Sequence, residues 1–300
     1  MDKYGILLMA YGSPGNMEEI EPYYIDIRRG RRPTREALQE LQDRYLEIGG
    51  TSPLLEITNQ QAESLQNLLG ANFKVYVGMR HWTPWIHEAV QQMAHDGIRK
   101  AVGIVMSPHY SSMSIERYKG KVRDALYETK GAPDFLYIDE YHNHPLFIQA
   151  LTQKIEEARQ DLSPGNFTCI FTAHSLPERI LDKGDPYADQ LMETSRILAE
   201  KAGLEKWEFA YQSAGRTEEK WLGPDLTEMI KRLHDQGENQ ILICPIGFII
   251  DHLEVLYDID IEAQQLCQEL GMKQVRTTSL NSDPLLIKAF AQIITEKING

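Results

Sequence analysis

Eight short apolar runs, each followed by a helical pattern, constrain the fold of this chain more than any other feature. The spacing predicts strands over 5–10, 73–77, 101–106 and 135–138, then over 168–172, 208–211, 240–245 and 274–277. Strands written as unbroken apolar runs are covered on both faces, and parallel strands need helical crossovers, so the pattern implies parallel-sheet α/β architecture. Amphipathic helices are predicted over 58–69, 83–96, 114–128, 187–202 and 225–236.

The halves echo one another. Met9-Ala10-Tyr11-Gly12-Ser13-Pro14 parallels Thr172-Ala173-His174-Ser175-Leu176-Pro177, and His144-Pro145-Leu146-Phe147-Ile148-Gln149-Ala150 parallels Asp283-Pro284-Leu285-Leu286-Ile287-Lys288-Ala289. Matches in the same order indicate an internal duplication. The expected fold is therefore two similar Rossmann-like lobes, 1–145 and 146–300, each a four-stranded parallel sheet flanked by helices, with a cleft between them. The terminal helix is expected to pack on the other lobe.

A net charge of −13 disfavours nucleic acid, whose phosphates need a basic field, and favours cationic ligands. No stretch reaches the ~20 apolar residues of a membrane span, and no secretory signal pattern is visible, so a cytoplasmic protein is expected. Cys169, Cys244 and Cys267 are widely spaced, which predicts buried thiols rather than a disulfide framework or a thiolate metal cluster. No heptad or broad apolar stripe argues for assembly, so a monomer is expected.

Open parallel sheets bind ligands outside the carboxyl ends of their strands. That rule selects Tyr11; Arg80 and His81; Ser107 to Tyr110; His174; Gln212 and Ser213; and Asp251, His252 and Glu254. Glu254 stands among Leu253, Val255 and Leu256, where an unpaired charge is costly, so it needs a cation, a proton or a partner. His174, taken alone, fits either a structural hydrogen bonder or a cleft residue. A carboxylate beside it makes it a competent proton acceptor or metal ligand. Asp258 and Glu262 continue from Glu254 at four-residue steps, which suits either the wet face of a helix or a hydrated divalent cation. Four arginines, Arg28, Arg29, Arg31 and Arg32, precede Gly49-Gly50-Thr51-Ser52-Pro53 and make a local positive patch suited to carboxylates or phosphates, or a solvated loop.

Six motifs in order carry a resemblance: Met9 to Pro14, Tyr23 to Arg31, Gly49 to Leu54, Ala173 to Glu178, Trp221 to Asp225 and Asp251 to Asp258. Together they resemble the ferrochelatase family over nearly the whole chain, and are most similar to the short coproporphyrin III enzymes of Gram-positive bacteria. The resemblance implies a class II chelatase-like fold and insertion of ferrous iron into coproporphyrin III in haem synthesis. It implies that His174 and Glu254 bind iron and accept protons, and that Tyr11 is an axial iron ligand. Arg28, Arg44, Tyr45, Ser52 and Tyr118 are then expected to contact the porphyrin, with His81 near them. Asp258 and Glu262 would extend the acidic line as an outer Mg2+ or Fe2+ site. No tightly bound cofactor or iron–sulfur cluster and no integral membrane association are expected, while transient contacts with other haem-pathway enzymes are. Arg80 stands where related short enzymes often have lysine, and Ala263 to Cys267 adds no further acid, which weakens the outer site. Alternatives within the same fold are a protoporphyrin ferrochelatase, a cobalt or nickel chelatase for another tetrapyrrole, and a non-catalytic porphyrin carrier.

Overall fold

A computed structural model describes residues 3–164, 166–215 and 217–300. Strands β1 (Tyr4–Ala10), β2 (Phe73–Met79), β3 (Lys100–Val105) and β4 (Asp134–Ile138) form a parallel sheet in the order β2-β1-β3-β4. Strands β5 (Thr168–His174), β6 (Trp207–Gln212), β7 (Gln240–Cys244) and β8 (Lys273–Arg276) repeat it as β6-β5-β7-β8. Each sheet therefore switches direction beside its first strand, which opens a crevice at the carboxyl ends of β1 and β5.

Helices α1 (Ile20–Ile27), α2 (Arg35–Glu47) and α3 (Leu54–Leu69) fill the crossover from β1 to β2. Helices α4 (Ile86–His95), α5 (Ile115–Glu128) and α6 (Pro145–Ala158) follow the next three strands. In the second half come α7 (Tyr187–Lys201), α8 (Leu226–Asp235), α9 (Leu253–Tyr257), α10 (Gln264–Glu269) and α11 (Pro284–Asn299). Two of these differ from the sequence expectation for a physical reason. Helices α1 and α2 are not among those placed from the sequence, because each buries little: Ile20 and Tyr23 in the first, Tyr45 alone in the second. Between α9 and α10, Asp258–Ala263 forms a π-helical turn instead of continuing the regular helix.

The strands show why continuous apolar runs were needed. Ile6 and Leu8 of β1 join one core and Leu7 and Met9 another, as alternate side chains of a strand must when helices cover both faces. In the second sheet Cys169 and Phe171 point inward, while Ile170 points to the outer layer with α8. The inner core is shared by both sheets. Phe147, Ile148, Leu151 and Ile155 of α6 and Leu286, Ile287, Phe290 and Ile294 of α11 all lie in it. Helix α11 of the second lobe packs on α3 and β4 of the first, and α6, which begins at the lobe junction, packs on α7 and α11. The packing of the second lobe's end on the first is fastened by Gln61, whose amide donates to the Asn281 carbonyl at 2.7 Å, while Lys154 of α6 lies 3.6 Å from Asp283 at the start of α11. Cys169, Cys244 and Cys267 are buried free thiols.

Two glycines shape the crevice. Gly12 turns the chain after β1 with φ of 96°, where a β-carbon would also meet the Trp82 amide. Gly247 lies so close to Ala173 that a β-carbon there would stand 2.5 Å from the Ala173 β-carbon.

Candidate active site

A cavity of about 310 Å³ opens between the lobes at the strand ends. From the first lobe it is lined by Tyr11 and Ser13 after β1, Arg80 after β2, and Met113 and Tyr118 after β3; Tyr23, Tyr45 and Ser52 come from the long β1–β2 crossover. From the second lobe come His174, Tyr187, Phe248, His252 and Glu254. The apolar Gln240–Cys244 strand and the tight Gly247 turn deliver Glu254 to the first turn of α9, facing the end of β5.

Nε2 of His174 lies 3.4 Å from Oε1 of Glu254, and Nε2 of His252 lies 3.6 Å from Oε2. One carboxylate is held between two imidazoles. Each ring is fixed through its other nitrogen: Nδ1 of His174 donates to the Ser175 carbonyl in a short bond, and Nδ1 of His252 to the Ile250 carbonyl at 2.9 Å. Backbone carbonyls cannot donate, so both Nδ1 atoms carry protons and both Nε2 atoms are aimed at the acid. About a third of each side chain of the His174–Glu254 pair stays open, 32% and 35%.

Burial opposes charge on both members, and their attraction overcomes it. Desolvation would lower His174, yet Glu254, the Ser175 carbonyl and the more distant Asp258 raise it to about 9. Desolvation would raise Glu254, yet His174 and His252 hold it well below the usual carboxylate range. At neutral pH the pair rests as imidazolium and carboxylate.

On the facing wall the Arg80 guanidinium lies 5.7 Å from the centre of the Tyr11 ring and 5.3 Å from that of Tyr118. Desolvation pushes the Tyr11 phenol well above its ordinary value against the pull of Arg80, and raises Tyr118 to about 12. His81 does not line the cavity. It is 7% exposed, packs behind Tyr11 with its ring tilted 52° at 4.6 Å, and bonds Asp26 at 2.7 Å. Burial lowers it to about 4 despite Asp26, so it buttresses Tyr11 as a neutral ring donating to that carboxylate.

Of the other expected porphyrin contacts, Tyr45, Ser52 and Tyr118 line the cavity and Arg28 and Arg44 do not. Arg28 ends α1, is exposed, and lies over Tyr24 at 5.5 Å. Arg44 stacks on Tyr257 at 4.6 Å and lies 3.5 Å from Asp258, bracing α2 against the second lobe. Asp258 is buried beneath that arginine and also accepts from the Ser213 hydroxyl in a short bond, whereas Glu262 is exposed. Burial raises Asp258 to about 6, with Glu254 adding to the effect. Among the described residues no group of three or more His, Cys, Asp or Glu side chains is arranged to hold a metal ion. A resident outer cation therefore finds one carboxylate committed to arginine and another in solvent.

Sequence reasoning placed Arg80 and His252 at strand ends without giving either a role. Tyr187 it missed altogether, for a tyrosine opening a helix carries no signal; the structure shows its phenol donating to the His174 carbonyl at 2.9 Å. His109, expected near the cleft, is instead wholly buried at the seam between lobes, 3.0 Å from the Thr194 hydroxyl.

The ferrochelatase family model matches residues 3–298. The chain belongs to the ferrochelatase family. A ferrochelatase of Deinococcus radiodurans is 46% identical over 98% of this chain and 95% of its own length. A coproporphyrin III ferrochelatase of Geobacillus sp. strain WCH70 is 42% identical over 99% of this chain and 98% of its own. The fold is also similar to that of the sirohydrochlorin chelatase SirB of Bacillus subtilis subspecies spizizenii in complex with cobalt, with TM-score 0.62 and 9% identity over 99% of this chain and 96% of that one. At that identity the likeness speaks of fold alone. It assigns this ferrochelatase-family chain to the class II chelatase architecture.

Proposed function

We propose that this protein inserts ferrous iron into coproporphyrin III in haem synthesis. The observation that carries the reading is the His174–Glu254 pair, 3.4 Å apart, in a cavity whose other wall holds Tyr11 and Arg80. Relatives at 42% identity bear the name of that activity, which supports the choice of porphyrin.

Insertion must remove two pyrrole protons, strip water from iron and bend a flat ring so that nitrogen lone pairs face the metal. Remote contacts supply the bending, since binding energy away from the reacting centre can be used on distortion. Arg80, which no carboxylate among the described residues pairs, is placed to take a porphyrin carboxylate; Ser52 and Tyr45 add polar contacts, and the exposed Arg28, outside the cavity lining, is left for a further carboxylate of the substrate. His174 and Glu254 offer iron one nitrogen and one oxygen, a set that suits a borderline cation. Two protein donors leave the remaining positions to water and then to the four pyrrole nitrogens.

The arriving dication repels the imidazolium proton, which leaves through Glu254 to solvent. Once iron has passed from Nε2 of His174 to the pyrrole nitrogens, that lone pair is free to accept the two pyrrole protons one after the other, each handed through Glu254 to solvent before the next, while Tyr11 meets the metal from the other lobe. An outer Mg2+ or Fe2+ at Asp258 and Glu262 is proposed only as a hydrated ion competing with Arg44, and no step runs through it. We place the enzyme in the cytoplasm as a monomer making transient contacts in its pathway; no helix among the described residues is long and apolar enough to cross a membrane.

Anaerobic incubation of the purified protein with ferrous iron and coproporphyrin III, followed by absorbance, tests the reading. Metallation well above the uncatalysed rate is expected. None would overturn the activity, and equal turnover of protoporphyrin would overturn the substrate.

A further inference from the structure

The loop joining β3 to α5 forms one wall of the cavity through Ser107, Met113 and Ser114, and α5 adds Tyr118 a turn later. Its tip is held from the other lobe by a single carboxylate. Oδ2 of Asp185 accepts hydrogen bonds from the Ser111 hydroxyl at 3.1 Å, the Ser112 amide at 2.7 Å and the Ser112 hydroxyl at 2.7 Å. Oδ1 accepts from the Tyr187 amide at 3.1 Å. Tyr187 in turn lines the cavity and holds the His174 carbonyl through its phenol at 2.9 Å.

Asp185 is 8% exposed, and all the partners its side chain bonds are neutral donors. A carboxylate out of water is costly unless donors surround it, and three donors on one oxygen are an arrangement that full negative charge favours. An amide at this position would be a poor substitute, because its NH2 group would face a donor. Gln190 adds a second tie to the same loop, accepting from the Tyr110 amide at 2.7 Å. The carboxylate is thus the charged centre of a junction between the wall that carries Tyr118 and the strand that carries His174.

We infer that Asp185 is a positioning residue: by holding Ser111 and Ser112 of one lobe against Tyr187 of the other, it sets the width at which the cavity grips the macrocycle. The inference rests on the iron-insertion reading, and on the requirement that walls which bend a ring must not yield. With the tie loosened, the cavity would still accept the flat porphyrin but would bend it less. Chemistry then falls without loss of binding, which is the kinetic mark of relieved ground-state strain.

The test compares wild type with Asp185→Asn, Ser112→Ala and the double variant, measuring kcat and KM for coproporphyrin III and the out-of-plane resonance Raman bands of the bound, metal-free porphyrin. In Asp185→Asn we expect kcat to fall roughly tenfold with KM no higher, since small misplacements of reacting groups carry losses of this order or larger. The out-of-plane bands should weaken in parallel, Ser112→Ala should shift both readings the same way by less, and the double variant should be little worse than Asp185→Asn. Wild-type kcat and bands in both single variants overturn the inference. So does a kcat loss with undiminished bands, or a double variant whose losses simply multiply. If Asp185→Asn does not fold, Ser112→Ala, which keeps the Ser111 hydroxyl and Ser112 amide on the carboxylate, decides by its own kcat and bands. Failure of wild type to metallate would remove the proposed function, while the Raman bands would still read the tie on bound porphyrin.

Discussion

Oε1 of Glu254 stands 3.4 Å from Nε2 of His174, and the second oxygen of that carboxylate faces a second imidazole, His252. On the proposed reaction, removing either member of the first pair strips iron of a donor and the pyrrole protons of their route to solvent. His174→Ala and Glu254→Gln are each expected to lower kcat by roughly 10²- to 10⁴-fold, the usual span for a positioned acid or base. Porphyrin affinity, measured by fluorescence quenching without iron, should hold; wild-type turnover in either variant would refute the assignment.

The same pair predicts a pH profile. His174 is raised to about 9 and must be neutral to accept a proton, so kcat/KM should climb with pH along a limb near that value. In Glu254→Gln the attraction that raised the ring is gone, and the limb should move down toward the ordinary histidine range. Linkage gives the matching stability sign: the folded state binds this proton more tightly, so its contribution is full below about 6.5 and is lost as pH rises through about 9. An immobile limb in the variant would show that some other group titrates.

His81 carries the opposite sign. Its folded value near 4 lies below the ordinary 6.5, so stability it contributes at neutral pH is lost as pH falls from about 6.5 through about 4. Thermal melts across that range should show a shallower acid slope in His81→Asn than in wild type. Identical slopes would rule the ring out as a source of acid sensitivity.

Arg80→Ala should raise KM for coproporphyrin III at least tenfold, because a hydrogen bond to a charged group contributes about 1.5 kcal/mol or more. Arg80→Lys should recover part of this and no more, since lysine keeps the charge but not the planar, forked guanidinium that lies near both the Tyr11 and Tyr118 rings. Equal affinity in all three proteins would move the carboxylate contact elsewhere.

Gly247→Ala tests the approach that delivers Glu254. A β-carbon 2.5 Å from that of Ala173 forces the turn outward, at a cost of about 1–3 kcal/mol in overpacked interiors. Both the melting temperature and the insertion rate should fall, and a melt unchanged from wild type would show that the turn has room to spare.

The eight strands were legible because each is an unbroken apolar run bounded by turn residues, and the pairing of His174 with Glu254 followed once both were placed at adjacent strand ends. Helices α1 and α2 were not, since they bury so few side chains that no apolar period marks them. The fate of Arg44 was hidden for a related reason: its partner Asp258 lies on the other lobe, and a π turn sets how that carboxylate is presented. Asp185 shows the same limit. Nothing in Gly184-Asp185-Pro186-Tyr187 tells that its oxygens meet two serines more than seventy residues away in the chain.

The crossed helices α6 and α11 have a mechanical consequence. Because α11 closes the second half embedded in the first, and α6 at the junction packs against it, swinging the jaws apart would tear open the interior they share. On the proposed function, a stiff slot that meets a pliable disc leaves the guest, rather than the host, to change shape.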